Sequence, residues 1–199
     1  SMEYEQRFND WYVSARANFT YNRNKKLYDD KPTPIWPYQS EAGFAYRQQR
    51  GLIALGLFES EEDIANSPKQ NFGNVRPGDI KYKDVNGDGK IDSDDRVYLG
   101  SPVPTYYFGG SLGMNYKNWD LSVAFYGEGG NKILARNRGE VIKTPGRNID
   151  AEVAINRWHG EGTSNEFPSS EGYRQLWNQR MSGFWLEDGD FIRIQNIQL

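Results

Sequence analysis

The alternation of apolar and polar residues in residues 11–22 constrains the fold more than any other sequence feature. The odd positions carry apolar or aromatic residues: Trp11, Val13, Ala15, Ala17, Phe19 and Tyr21. A period of two places alternate side chains on opposite faces of an extended chain. The pattern therefore predicts a β-strand with one apolar face and aromatic residues at both ends. Such a face packs on a core in a soluble protein or on lipid in an outer-membrane barrel.

The same alternation returns in residues 106–116 and 119–127, which are separated by the dipeptide Lys117-Asn118. This spacing predicts a hairpin of two antiparallel strands, each long enough to cross a bilayer. A further strand region is expected over residues 184–199, with a kink at Gly189.

A short internal repeat supports this reading. The tetrapeptide Phe8-Asn9-Asp10-Trp11 resembles Tyr116-Lys117-Asn118-Trp119, with an aromatic residue and a polar pair before a tryptophan that begins a strand. The repeat predicts two strands that leave the same end of the sheet in the same direction.

Two long connections, residues 23–105 and 128–183, separate the expected strands. Long connections at one end of a sheet and short turns at the other are typical of outer-membrane barrels. Connections of this length usually carry function or structure of their own. Within them, Ser60 is expected to cap a short helix that ends before Pro68, and Asp150 to cap a helix over residues 151–158.

An acidic loop, residues 84–95, lies in the first long connection and fits the first half of a calcium-binding pattern. Gly89 occupies the sixth position, where the chain turns sharply and a Cβ is expected to clash. Because the flanking residues are β-prone rather than helical, a calcium-type loop in a β context is expected instead of an EF-hand. The expected ligands of a structural Ca²⁺ are Asp84, Asn86, Asp88, the backbone carbonyl of Lys90, Asp92 and Asp95.

A solvated acidic turn is the alternative for the same residues, since Asn-Gly and Asp-Gly are common turn dipeptides. Asp95 stands at the twelfth position, where glutamate is usual, and its shorter side chain predicts weaker binding.

Composition excludes several classes of function. The net charge is −3 at pH 7 and the chain has no cysteine, so neither nucleic-acid binding nor thiol chemistry is expected. An enzyme is not expected either, because His159 is the only histidine and no spacing singles out a pair of catalytic carboxylates. The aromatic residues Trp36, Tyr38 and Trp177 are expected to anchor the long loops, with stacking on sugars as the alternative.

Five segments spread along the chain match one protein family in order. They are residues 18–25 (NFTYNRNK), 51–58 (GLIALGLF), 77–89 (PGDIKYKDVNGDG), 158–165 (WHGEGTSN) and 187–197 (EDGDFIRIQNI). Together they resemble the C-terminal part of the SusC/RagA-type TonB-dependent outer-membrane transporters of Bacteroidetes.

The resemblance implies a mostly β fold, in which antiparallel strands belong to a 22-stranded transmembrane barrel in contact with outer-membrane lipid. It also implies an N-terminal plug, energy from TonB, a SusD-like surface lipoprotein as a lid, and oligosaccharides or peptides as cargo. Residues 3–199 would form part of the C-terminal barrel region, with residues 23–105 and 128–183 outside the cell.

The extent of the sequence raises further expectations. Residues 1–2 are expected to be a cloning scar, and the end at Leu199, within a strand, is expected to reflect truncation. The plug and the segment that contacts TonB are not expected in this chain. The alternative function is that of a free-standing, secreted calcium-binding β module for surface interaction.

Overall fold

The computed structural model describes residues 1–135, 148, 150–169 and 181–199, and within them the fold is mostly β. The strands are β1 (Met2–Phe8), β2 (Trp11–Tyr21), β3 (Gln49–Gly51), β4 (Ala54–Leu57), β5 (Lys69–Gln70), β6 (Ile80–Tyr82), β7 (Lys90–Ile91), β8 (Val97–Gly100), β9 (Tyr106–Tyr116), β10 (Trp119–Gly129), β11 (Lys132–Leu134), β12 (Leu186–Asp188) and β13 (Phe191–Gln198). The α-helices are α1 (Glu61–Ala65) and α2 (Ala151–Asn156). No helix in the described ranges is long and apolar enough to cross a membrane.

The largest element is a five-stranded antiparallel sheet in the order β1-β2-β9-β10-β13. Trp11 and Trp119 both lie opposite Tyr116, so the two short turns lie at the same end of the sheet. Asn9 and Lys117 adopt φ of 49° and 52° in these turns, as tight hairpin turns require. The repeat in the sequence therefore marks two equivalent turns, and the two long connections leave from the opposite end.

The two faces of this sheet differ sharply in polarity. Directly paired residues share a face, and one row across the sheet reads Tyr4, Ala15, Leu112, Val123 and Ile197. The adjacent row on the other face reads Glu3, Arg16, Ser111, Ala124 and Asn196. The large side chains of the apolar face are exposed, with Leu112 at 55% and Ile197 at 63%. Within the described residues, this apolar face of the sheet packs on no core.

Strand β1 was not predicted from the sequence. Its apolar residues Met2, Tyr4 and Phe8 alternate with charged residues, and Met2 pairs with Ala17. The charged positions lie on the polar face of the sheet, where Arg16 binds Glu3 at 2.6 Å. The alternation of apolar and polar residues is therefore present in β1, but its charged residues make the strand hard to recognise from the sequence.

The single strand expected over residues 184–199 is divided in the structure. A 3-10 turn over Gly183–Trp185 leads into β12, which pairs with β11, and the chain then breaks before β13. At Gly189 an added Cβ would come within 2.3 Å of Asn131 Nδ2. Close packing against Asn131 thus makes the expected kink a complete break between two strands.

The hydrophobic core lies in the long connections. Both connections contribute to one cluster of buried residues: Leu52, Leu57, Ile80, Tyr82 and Ile91 from the first, and Val153 and Phe167 from the second. Trp185, in the 3-10 turn that precedes β12, completes the cluster. We call residues 22–105, together with the described residues between 130 and 190, the lobe. The lobe sits at the end of the sheet opposite the short turns.

The two predicted helices lie on the surface of the lobe. The hydroxyl of Ser60 accepts a hydrogen bond of 3.2 Å from the backbone NH of Asp63, which caps α1 as expected. Asp150 caps α2 through the NH of Glu152, and α2 ends at Asn156, two residues before the expected end.

Candidate functional site

The acidic loop is fixed at its base by the core of the lobe. It follows β6 and runs into β7, where Ile91 is fully buried. Strand β7 pairs in parallel with β5, and the backbone NH groups of Lys69 and Asn71 donate to the carbonyls of Gly89 and Ile91 at 3.1 and 3.0 Å. Residues 84–95 are therefore held at a defined place on the lobe.

The first half of this loop is organised by side-chain oxygens that accept backbone hydrogen bonds. Asp84 accepts from Gly87 and Gly89 at 2.6 and 2.8 Å, one bond to each carboxylate oxygen. Asn86 and Asp88 each accept one bond, from the backbone NH groups two residues later. Because an oxygen that accepts one hydrogen bond keeps a second lone pair, these three side chains could also bind a cation.

Glycine is required at position 89, as the sequence predicted, but for a different physical reason. Its φ is +81°, a region that residues with a Cβ rarely adopt. A Cβ built on Gly89 would have no atom within 4 Å. The predicted clash is therefore wrong, and the requirement for glycine comes from the backbone conformation.

The second half of the loop is tied to its own backbone. Asp92 accepts from the NH of Asp94 at 2.8 Å. Asp95 is fully buried, and its two oxygens accept from Val85 and Asp92, each at 2.8 Å. Lys90 pairs with Lys69 in the parallel ladder. Asp95 thus holds the two ends of the loop together, a structural role that does not depend on a metal.

In the described part of the chain, no three or more His, Cys, Asp or Glu side chains converge in a way that could hold a metal ion. The oxygens of the expected ligands are nevertheless brought to one loop. The residues that fit a cation best are those of the first half, namely Asp84, Asn86 and Asp88.

Tyr38 connects the start of the lobe to the acidic loop. Its hydroxyl donates a hydrogen bond of 2.5 Å to the backbone carbonyl of Asp94. Burial, together with the nearby carboxylates of Asp95 and Asp94, raises the pKa of Tyr38, so the hydroxyl stays protonated and donates. Trp36 stacks near Tyr38, with ring centroids 6.3 Å apart. An anchoring role thus fits Tyr38, whereas Trp177 lies outside the described residues.

The segment 158–165 joins the second connection to the first. The Asn165 side chain accepts from the backbone NH of Leu57 at 3.1 Å. Glu59 accepts from the NH of Gly162 at 2.8 Å. His159 is exposed, and its backbone NH bonds to the Thr163 hydroxyl at 3.1 Å within a turn. The residues of this segment therefore fix a contact between the two connections, and His159 takes part in its turn through the backbone.

Asp190 fastens the lobe to the sheet. One of its oxygens accepts from the Tyr106 hydroxyl at 2.7 Å, and the other accepts from the backbone NH of Gly130 at 2.8 Å. Sequence reasoning did not assign roles to Asn165, Glu59 or Asp190. All three belong to or contact segments that carry the family resemblance, which was the available signal.

Comparisons with known proteins agree with this architecture. No protein-family profile matches the sequence. The chain is 36% identical over 156 residues to the TonB-dependent receptor P26 of Formosa agariphila, covering 75% of this chain and 15% of the receptor. It is 25% identical over 199 residues to the TonB-dependent receptor P3 of the same organism, covering 94% of this chain and 19% of the receptor.

The fold is similar to part of the RagAB peptide importer in its open-open state, with a TM-score of 0.62 and 18% identity over 98% of this chain and 20% of that chain. The closed-closed state gives a TM-score of 0.61 at 20% identity, over 98% of this chain and 21% of that chain. The chain spans about a fifth or less of the length of the first two receptors that it matches. The chain therefore belongs to the TonB-dependent receptors by sequence, and its fold resembles part of the RagAB peptide importer.

Proposed function

We propose that this chain forms part of the barrel wall and of the outward-facing lobe of a TonB-dependent transporter in the bacterial outer membrane. The observation that carries the proposal is the apolar face of the five-stranded sheet. It is exposed, and aromatic residues occur at both ends of its strands, Trp11 and Tyr116 at one end and Tyr21 and Tyr106 at the other. Aromatic girdles around an apolar band are a feature of membrane barrels.

The length of the strands supports this placement. Strand β9 has 11 residues, which at about 3.3 Å per residue rise by about 36 Å. With a tilt of about 40°, such a strand covers about 28 Å along the membrane normal, close to the apolar band of about 25 Å in outer-membrane barrels. The complete barrel of this proposal has 22 strands, of which the sheet supplies five.

The exposed apolar face also argues against the alternative of a secreted calcium-binding module. A soluble module that exposed Leu112, Ile194 and Ile197 on one continuous face would be prone to association. Lipid covers such a face in the transporter that we propose.

Spin labels on adjacent residues of β9 test the orientation of the sheet. Leu112 lies on the apolar face and Ser111 on the polar face, and this segment contains no cysteine that would compete for the label. In the full-length receptor in membranes, a label at Leu112→Cys should collide more often with dissolved oxygen than with a water-soluble nickel complex. A label at the matched control Ser111→Cys should show the reverse preference. Equal access of both labels to the nickel complex would contradict the proposal.

Partners and cargo follow from the same proposal. The lobe would meet a SusD-like surface lipoprotein and a peptide or oligosaccharide cargo outside the cell. TonB would act through a plug that precedes this segment in the receptor. The names of the similar receptors include TonB dependence, and the similar solved structure is a peptide importer, which supports a role in uptake. No enzymatic activity is proposed.

We also propose that the acidic loop binds a structural Ca²⁺ through oxygens of Asp84, Asn86, Asp88, Lys90 and Asp92. Binding would reduce the repulsion among the carboxylates of the loop. Asp95 would contribute mainly through its bonds to the backbone. Because glutamate is absent from the twelfth position, weak binding is expected.

Asp88→Asn tests the calcium proposal. Asparagine keeps an oxygen for the NH of Lys90, which Asp88 accepts at 2.9 Å, but it removes a negative charge. The variant should bind Ca²⁺ roughly ten-fold more weakly by titration calorimetry, and its thermal stability in EGTA should equal that of the parent. Asp84 is less suitable, since asparagine there would keep at most one of its two backbone hydrogen bonds, with or without calcium. Asp94→Asn is the control, and equal Ca²⁺ affinity in all three proteins would exclude this site.

A further inference from the structure

Arg50 in β3 is half-buried and has no carboxylate partner among the residues that the structure describes. Its Nη2 donates only a long hydrogen bond of 3.4 Å, to the backbone carbonyl of Arg96. Its guanidinium lies 5.3 Å from the centroid of the Tyr98 ring. The Nε atom is buried and has no hydrogen-bond partner, and among the described residues Arg50 takes part in no ion pair.

The acidic residues beside Arg50 are already neutralised. Glu41 binds Lys26 at 2.6 Å and Lys31 at 2.5 Å, one with each carboxylate oxygen. Asp29 binds Lys26 at 2.9 Å and lies 3.8 Å from Lys31. The two lysines hold the pKa of Glu41 down to about 2, so Glu41 stays ionised within this network. The charges of the two lysines, the aspartate and the glutamate sum to zero. The positive charge of Arg50 is therefore not neutralised within this group.

A cavity of about 440 Å³ opens beside these groups. Its volume lies in the range of small-molecule sites. Leu27, Tyr28, Pro32 and Pro34 supply apolar walls, and Arg50 lies among the lining residues. Asp29, Lys31 and Glu41 of the salt-bridge network also line the cavity. Thr33, Gln39 and Ser40 add uncharged polar groups. Apolar walls with a few polar groups are typical of sites that orient a small ligand.

A second buried donor without a partner is the hydroxyl of Tyr98, the residue that pairs with Arg50 across β3 and β8. Buried polar groups are nearly always hydrogen-bonded, so such a concentration calls for a missing partner. An arginine guanidinium offers a planar fork of donors that matches the two oxygens of a carboxylate.

We propose that the cavity beside Arg50 is a binding site for a carboxylate-bearing ligand of small size, which the Arg50 guanidinium orients. The carboxylate could belong to the C-terminus of a short peptide or to a uronic acid, because both present the same pair of oxygens. The proposal rests on the proposed function in placing the lobe outside the cell, where such cargo is met.

Binding to the purified full-length receptor in detergent tests this site separately from its membrane location. Titration calorimetry would compare trialanine with trialanine amide, and glucuronate with glucose. The acid should bind about ten-fold more tightly than its uncharged counterpart in at least one of the two pairs. The pair that shows the preference identifies the source of the carboxylate, and no preference in either pair contradicts the proposal.

Two substitutions test whether the preference for the acid depends on Arg50. Arg50→Lys keeps the positive charge but removes the planar fork, and it should reduce the preference for the acid to about two-fold or less. Arg47→Lys is the control, because Arg47 also lies over a tyrosine ring, 5.7 Å from the centroid of Tyr46, but does not line the cavity. An equal loss in both variants, or no loss in Arg50→Lys, would place the site elsewhere. Unchanged thermal unfolding and circular dichroism would show that the variants remain folded.

Discussion

Single glycines of the lobe are required for two separable reasons. Gly78 combines a φ of +84° with crowding, since an added Cβ would come within 2.4 Å of Trp158 Cε3. The backbone there also connects the two long connections, as Gly78 donates to the carbonyl of Phe58 and accepts from the NH of Ser169. Gly162 has a similar φ of +72°, but nothing lies within 4 Å of an added Cβ.

The two positions give a matched test of crowding. Gly78→Ala should destabilise the lobe by about 2–4 kcal/mol, because it adds overpacking against Trp158 to the cost of a positive φ. Gly162→Ala should cost only about 1–2 kcal/mol. Hydrogen exchange of peptides that contain Phe58 and Ser169 would measure the difference. Equal effects of the two substitutions would show that Trp158 moves aside without cost.

For single residues, the sequence predicts backbone conformation better than it predicts contacts between residues far apart in the chain. The glycine of the acidic loop was placed by its position in a local pattern, and its positive φ agrees. The contact of Gly78 with Trp158 joins residues far apart in the chain, and no local pattern encodes it. For the same reason Arg50 could not be singled out from the sequence, since its site depends on residues 27–42 folding over it.

At the scale of elements, periodicity was the most reliable guide. The expected strand over residues 106–116 has these bounds in the structure, and β2 and β10 differ from their expected bounds by one and two residues. Irregular positions were not predictable. Ala124 and Phe125 of β10 pair with Asn196 and Ile194 of β13. Gln195 is left without a partner and forms a bulge in β13. The bulge keeps Ile194 and Ile197 on the same face despite their odd spacing.

Two deletions follow from this register. Deletion of Gln195 removes only the unpaired residue, so the apolar face should stay continuous and the amount of folded receptor in the outer membrane should remain near that of the parent. Deletion of Ser122, which is paired on both sides in β10, moves the following side chains to the wrong face. The folded receptor should then fall to about a tenth or less. Heat-modifiable mobility of the membrane fraction would measure both, and a greater loss on deletion of Gln195 would contradict this register.

At the scale of the whole molecule, the sheet and the lobe are stabilised in different ways. The sheet has a continuous hydrogen-bonded ladder but an exposed apolar face, whereas the buried core belongs to the lobe. The sequence predicted two long connections with structure of their own. It did not predict that they share one core, because packing between distant segments leaves no periodic signal. Two of the five segments that carry the family resemblance, residues 51–58 and 77–89, supply four of the eight buried residues of this shared core.

Because the two connections share one core, a substitution that destabilises one connection should also destabilise the other. Phe167, in the second connection, is 5% exposed and packs in the same cluster as Ile80 and Tyr82 of the first. Phe167→Ala should lower the free energy of opening of the lobe by about 3–5 kcal/mol. Hydrogen exchange should therefore accelerate in β6 as well as around residue 167.

The control for this experiment is Ile155→Ala, also in the second connection, where the side chain is 73% exposed and a change within about 0.5 kcal/mol is expected. Exchange in β9 and β10 should stay at the parent rate in both variants, because their ladder does not depend on the core of the lobe. If Phe167→Ala accelerated exchange only within the second connection, the two connections would be separate folding units that merely touch. If it also accelerated exchange in β9, the lobe and the sheet would unfold together, and the lobe would not open while the sheet stays intact.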